Sequence, residues 1–77
     1  MTVNKMIDLY ITYGLDERTW DMLREMTCHG LIKQDTWKKF YEKCKGWAFS
    51  ESGNEIIDSE TEKVVYYYDD IGNPVKA

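Results

Sequence analysis

Cys28-His29-Gly30-Leu31-Ile32 lies at the centre of the stretch from Gly14 to Gly46, and the reading of this chain turns on it. Two amphipathic segments, Asp16 to His29 and Asp35 to Lys45, meet at Gly30. Glycine accepts the left-handed conformation that ends many helices, so Gly30 reads as the residue just past a helix, with Leu31 folding back on Met26. On its C-terminal side Trp37, Phe40, Tyr41 and Cys44 stand at i, i+3, i+4 and i+7, one face of a helix that Gly46 closes. On its N-terminal side Asp16 is a good N-cap, and Trp20, Leu23 and Thr27 share a face that Met22 and Met26 broaden. Further out, Met6, Leu9, Tyr10 and Tyr13 fall at helical spacing beside Ile7 and Ile11, with Thr2 or Asn4 as cap and Gly14 as stop. Gly14-Leu15 with Thr19-Trp20 and Leu23 is repeated as Gly30-Leu31 with Thr36-Trp37 and Phe40. Shared helix-turn chemistry explains that repeat without a duplication.

Beyond Gly46 the period changes. Trp47-Ala48-Phe49 alternates weakly, and Ser52-Gly53-Asn54 is turn chemistry. Ile56-Ile57 and Val64-Val65-Tyr66-Tyr67-Tyr68 are β-formers around the polar run 58–63, which predicts a hairpin. Such a loop needs one residue at positive φ, and Glu62 is the candidate. Alternation points Val64, Tyr66 and Tyr68 one way and Val65 and Tyr67 the other. Asp69 to Pro74 reads as a turn and Val75 to Ala77 as a fraying end. The expected fold is α+β: three short helices, then a small antiparallel β-hairpin or three-stranded sheet. Residues 1–77 read as a single small domain, with a helical part at 1–46 and a β-hairpin part at 47–77. The expected core is Trp20, Trp37, Phe40 and Tyr41 with Leu9, Leu23, Ile32 and Val65.

Charged residues make up 31% of the 77, which argues against a membrane protein. The longest strongly apolar run, Val64 to Tyr68, falls far short of the roughly 20 residues of a membrane helix. No secretion signal is evident. Met1 to Trp47 carries eight basic and seven acidic residues, a balance of +1, and Ala48 to Ala77 carries two and seven, or −5. Cys28 and Cys44, near the ends of successive antiparallel helices, are on the order of 14 Å apart. A disulfide needs Cα atoms within about 7 Å. Both thiols are therefore expected reduced, in keeping with a cytoplasmic protein, that of the host if the protein is phage-encoded.

Tyr13-Gly14-Leu15 and the run from Gly30 through Trp37 to Phe40 resemble the two helix turns of short XkdX-like proteins encoded among phage tail genes. The resemblance covers roughly residues 7–46. The same Gly-Leu-Ile, Trp, Phe turn is also similar to short helical oligomerisation modules at the C-termini of bacterial proteins. The resemblance implies no catalytic residue; it implies a phage or prophage protein that works by binding.

The residues themselves lead the same way. His29 is the only histidine, no Gly-x-Ser-x-Gly elbow is present, and at a helix end an imidazole is a dipole partner. Cys28, His29 and Cys44 lack zinc-ligand spacing, so neither metal nor cofactor is expected. Gln34, Lys38, Lys39 and Lys43 invite a helix-turn-helix reading, but Asp35 and Glu42 interrupt the basic face and the chain is acidic overall. The favoured function is a non-enzymatic protein-binding accessory, whose partner is a phage structural or a host protein. The alternatives are an acidic inhibitor that imitates nucleic acid against a host enzyme and, behind it, a DNA binder. The expected binding surface is Tyr67 with Glu60, Glu62, Asp69 and Asp70 around it. A homodimer through the last strand, Val64 to Tyr68, is a further expectation.

Overall fold

The computed structural model describes all 77 residues. Three helices precede a four-stranded antiparallel sheet: α1 Val3–Thr12, α2 Glu17–Cys28, α3 Gln34–Cys44, β1 Trp47–Phe49, β2 Glu55–Asp58, β3 Val64–Tyr68 and β4 Pro74–Lys76. The chain divides into two compact units, Met1–Lys45 and Gly46–Ala77.

In the helical unit, side chains begin the first two helices. Thr2 Oγ1 accepts from the Lys5 N–H at 3.2 Å, and an Asp16 carboxylate oxygen from the Arg18 N–H at 2.7 Å. α3 has no such bond, because Lys33 stands at its N-cap position and can only donate. Both glycine stops form one kind of cap. After α1, Gly14 N–H donates to Ile11 O at 3.1 Å and Leu15 N–H to Tyr10 O at 3.0 Å. After α2, Gly30 N–H donates to Thr27 O at 3.1 Å and Leu31 N–H to Met26 O at 2.9 Å. With φ of 76° and 79° at the glycines, these are Schellman motifs, which satisfy otherwise orphaned helix carbonyls. Leu31 folds back through its backbone as expected, yet its side chain is 67% exposed, so the apolar half of the cap adds little. Leu15 also adopts a positive φ, 57°. The link from Thr12 to Glu17 is one residue shorter than that from Cys28 to Gln34, and the extra left-handed residue completes the reversal.

At Gly30 a Cβ would meet nothing within 4 Å, so only backbone strain opposes substitution. A left-handed residue costs roughly 1–2 kcal/mol, most for a β-branched side chain and least for asparagine. Gly30→Val should therefore lower the urea midpoint by an amount equivalent to about 2 kcal/mol, and Gly30→Asn by much less. Equal midpoints for the two variants would exclude this cap as the cause.

Met6, Ile7, Tyr10 and Ile11 of α1 are buried, together with Leu23, Ile32, Phe40 and Cys44. The inward stripe of α1 differs from the expected one: Leu9 is half-buried and Tyr13 is 62% exposed. Met6 and Tyr10 belong to both stripes, and the isoleucine side of the pair is the more apolar. Packing against α2 and α3 takes that side and leaves the Tyr13 ring, at the C-cap, in water. Phe40 is fully buried, with its ring centroid 5.7 Å from Tyr10, 5.5 Å from Trp20 and 5.6 Å from Trp37. The two tryptophans of the sequence repeat meet each other at 5.4 Å. Both are half-buried rather than enclosed, and Tyr41, expected inside, is 41% exposed on the rim with the Lys45 ammonium 5.8 Å from its ring.

In the sheet unit the strand order is β1-β2-β3-β4, all neighbours antiparallel. The expected hairpin is β2–β3; one further strand joins on each side. β4 occupies part of the segment expected to fray. A tight turn over Asp69–Asn73 returns the chain, and Pro74 is tolerated as the first residue of an outer strand. β3 is consequently internal, and a strand paired on both sides has no free edge. The expected homodimer through Val64 to Tyr68 is not available to it.

Candidate functional site

Register assigns the side chains of the sheet to two faces, because directly paired residues share a face. Phe49, Ile56, Tyr66 and Lys76 are in line across the four strands, with Trp47, Tyr68 and Pro74 two residues away on the same face. Rings pair there: Trp47 with Tyr66 at 5.6 Å and Phe49 with Tyr68 at 6.3 Å. Ile56 between them is fully buried, and burial raises the pKa of the Tyr68 hydroxyl.

The other face is where the expected anchor sits. Glu55, Tyr67 and Val75 are in line, and Ile57 pairs with Val64. The register slips between Ile56 and Ile57: Ile56 faces Tyr66 while Ile57 faces Val64. One residue of β2 is thus matched by two of β3, a β-bulge at Val64-Val65. The bulge corrects the simple alternation. It turns Val64 to the Tyr67 side, so that Val64 and Tyr67, 37% and 42% exposed, lie on one face.

The four acidic residues expected around Tyr67 do not gather there. Glu60 and Glu62 lie in the β2–β3 loop, and Asp69 and Asp70 in the β3–β4 turn at the opposite end of β3. Five extended residues put these ends about 13 Å apart. Of the four, Asp69 has its carboxylate engaged within its own turn. Asp58 Oδ1 accepts from the Glu60 N–H at 2.9 Å, and Asp69 Oδ1 accepts from Ile71 N–H at 3.1 Å and Asn73 N–H at 2.7 Å. Glu62 takes the positive φ, 58°, as the loop required.

The β3–β4 turn holds a residue that sequence reasoning passed over. Gly72 N–H donates to Asp69 O at 2.9 Å, Asp69 N–H to Asn73 O at 3.0 Å, and Gly72 has a φ of 85°. This is a type I turn followed by a left-handed glycine, with aspartate in its favoured first place. At its tip Ile71 is 82% exposed, the most exposed large apolar side chain of the chain. The signal was present in Asp69-Asp70-Ile71-Gly72-Asn73, where a β-branched apolar residue stands among turn formers.

Elsewhere the reactive side chains are dispersed. Cys28 is exposed and Cys44 buried, both as free thiols, and no three His, Cys, Asp or Glu side chains gather as a metal site would require. Cys44 Sγ donates to Phe40 O at 3.0 Å, and burial pushes its pKa up to about 12. Tyr10 is raised as well, first by burial and then by the neighbouring Cys44. His29 is the exposed C-cap of α2. The outer face of α3 mixes Lys38, Lys39 and Lys43 with Asp35 and Glu42. None of the helices is long and apolar enough to cross a membrane.

No known family, curated protein or solved structure matches the chain. The surfaces that stand out from its own geometry are the Val64–Tyr67 face and the Ile71 tip on the sheet unit, and a groove of mixed lining beside Leu31 on the helical unit.

Proposed function

We propose that this chain is a non-enzymatic protein-binding accessory whose partner docks on the sheet face that carries Tyr67. The observation that carries the proposal is a large ring, 42% exposed, held on the internal strand β3 beside an exposed Val64. An aromatic side chain on a paired strand is already ordered, so binding loses little entropy there, and such residues are frequent interface anchors. Glu55, half-buried and directly opposite Tyr67, supplies a polar rim. A phage or prophage origin is part of the proposal and rests on the resemblance over residues 7–46. The division of the acidic residues between two ends of β3 favours an apolar anchor over the rival nucleic-acid mimicry, which needs one continuous run of charge.

Pull-downs from host lysate at low and high salt separate these readings. Tyr67→Ala should weaken retention of the partner about tenfold or more, in the range of an interface hot spot. The charge reversals Glu60→Lys and Glu62→Lys should leave retention near the wild-type level, and added salt should change it little. Circular dichroism verifies that each variant is folded. A partner kept by Tyr67→Ala but lost on charge reversal or in salt would replace this proposal with the mimic.

A further inference from the structure

The chain also carries an apolar tip with acidic flanks and a groove of mixed lining with a basic rim, and neither uses the Tyr67 face. The tip is Ile71, 82% exposed, with Asp70 beside it and Glu51 in the β1–β2 loop at the same end of the sheet. Its backbone is pinned by the Asp69 carboxylate, so the side chain is presented on an ordered turn. The groove lies within the helical unit, between the start of α1 and the α2–α3 link. Met1, Val3 and Leu31 provide the apolar part of its lining, Thr2 and Thr36 a polar part, Lys33 and Lys39 its charge, and no carboxylate lines it. Leu31 is 67% and Met1 47% exposed, so the groove is open. The first turn of α1 adjoins it, and unpaired N–H groups at a helix start favour a nearby anion.

We propose that the chain associates head to tail: the Ile71 tip of one copy seats in the Leu31 groove of a second copy, with Asp70 facing Lys33 and Lys39. The chemistry agrees, the apolar tip with the Met1, Val3 and Leu31 side chains and the acidic flank with the basic rim. The overall balance agrees as well, with −5 over Ala48 to Ala77 and +1 over Met1 to Trp47. Each copy offers one tip and one groove. The contact joins two different patches, so it closes in a ring of two or more copies or runs on as an open chain. A hairpin tip in a groove is a small contact, in the class below about 1,200 Å² of total buried area, so association is weak and grows with concentration.

Sedimentation velocity of the full chain from about 10 µM to about 1 mM tests this, because weak contacts have dissociation constants in that range. The weight-average sedimentation coefficient should rise with concentration and fall back in high salt. Ile71→Ser and Leu31→Ser, both at exposed positions, should each weaken association about tenfold while leaving the circular dichroism spectrum unchanged. The decisive sample is their equimolar mixture. One intact tip and one intact groove remain between two different variants, so the mixture should recover dimers and form nothing larger. A wild-type chain that stays monomeric throughout, or a mixture no heavier than its separate components, overturns the proposal.

Discussion

Truncating Phe40 to alanine should cost about 3–5 kcal/mol, the range of large-to-small changes at fully enclosed aromatic positions. Phe40 is the largest side chain with no exposed surface, and three rings, Tyr10, Trp20 and Trp37, stand within 5.7 Å of its centroid. Removing the ring loses the transfer free energy of its atoms and leaves a cavity that these stiff neighbours fill poorly. Small domains hold about 5–15 kcal/mol in all, so the change removes a large share of the stability. Urea unfolding followed by tryptophan fluorescence reads it directly, since two of the neighbours are tryptophans. Phe40→Leu keeps most of the volume and should cost much less. Tyr41→Ala is the informative contrast: with 41% of the residue exposed, it should cost well under half as much as Phe40→Ala. Equal losses at the two positions would mean that Tyr41, not Phe40 alone, fills the centre.

Local rules made the helical part legible. Gly14 and Gly30 were readable as stops because a left-handed C-terminus is a backbone demand that glycine meets best, and both bear the complete pair of cap bonds. Glu62 was readable for the same reason in reverse: the loop needed one positive φ and no glycine was there to take it. What escaped were choices made by packing. On α1 two overlapping stripes share Met6 and Tyr10, and only contact with two other helices selects the isoleucine side. Periodicity alone put Tyr41 on the inner face of α3, but a face about 100° wide has a rim, and Tyr41 is on it.

The sheet was less legible because its strands are short. β4 contains one apolar residue, Val75, after a proline, and it becomes a strand only because a rigid turn delivers it to β3. The bulge at Val64-Val65 has no marker of its own, since both residues are good strand formers, and yet it decides which side chains accompany Tyr67. Of the expected binding residues, Tyr67 is exposed on an ordered strand, while the acids were grouped with it only because they are near it in sequence. Antiparallel geometry sends the loops before and after β3 to opposite ends, so sequence neighbours on its two sides become spatial strangers.

Stability should fall steeply as the solution is made alkaline, and Cys44 should be the main cause. Its thiol is fully buried, bonded to the Phe40 carbonyl, and burial pushes its pKa up to about 12. An unfolded thiol titrates near 8.5. Below that pH the group is neutral in both states and its favourable burial is fully present. Between about 8.5 and 12 the unfolded chain gives up the proton while the folded chain keeps it, so the unfolded state gains free energy with each step in pH. A displacement of about three to three and a half units is worth roughly 4–5 kcal/mol when complete, at about 1.4 kcal/mol per unit. Tyr10, whose pKa is raised by burial and by Cys44, adds to the loss at the upper end of the same window. Urea unfolding at intervals from pH 7 to 11 should show a flat region followed by a decline that begins near pH 8.5. Cys44→Ala should lower stability at pH 7, because it opens a small cavity, yet decline less steeply above pH 9. Thiol labelling at pH 8 should modify the exposed Cys28 at once and Cys44 only on unfolding. Parallel declines for the wild type and Cys44→Ala would show that the thiol is not the group that titrates.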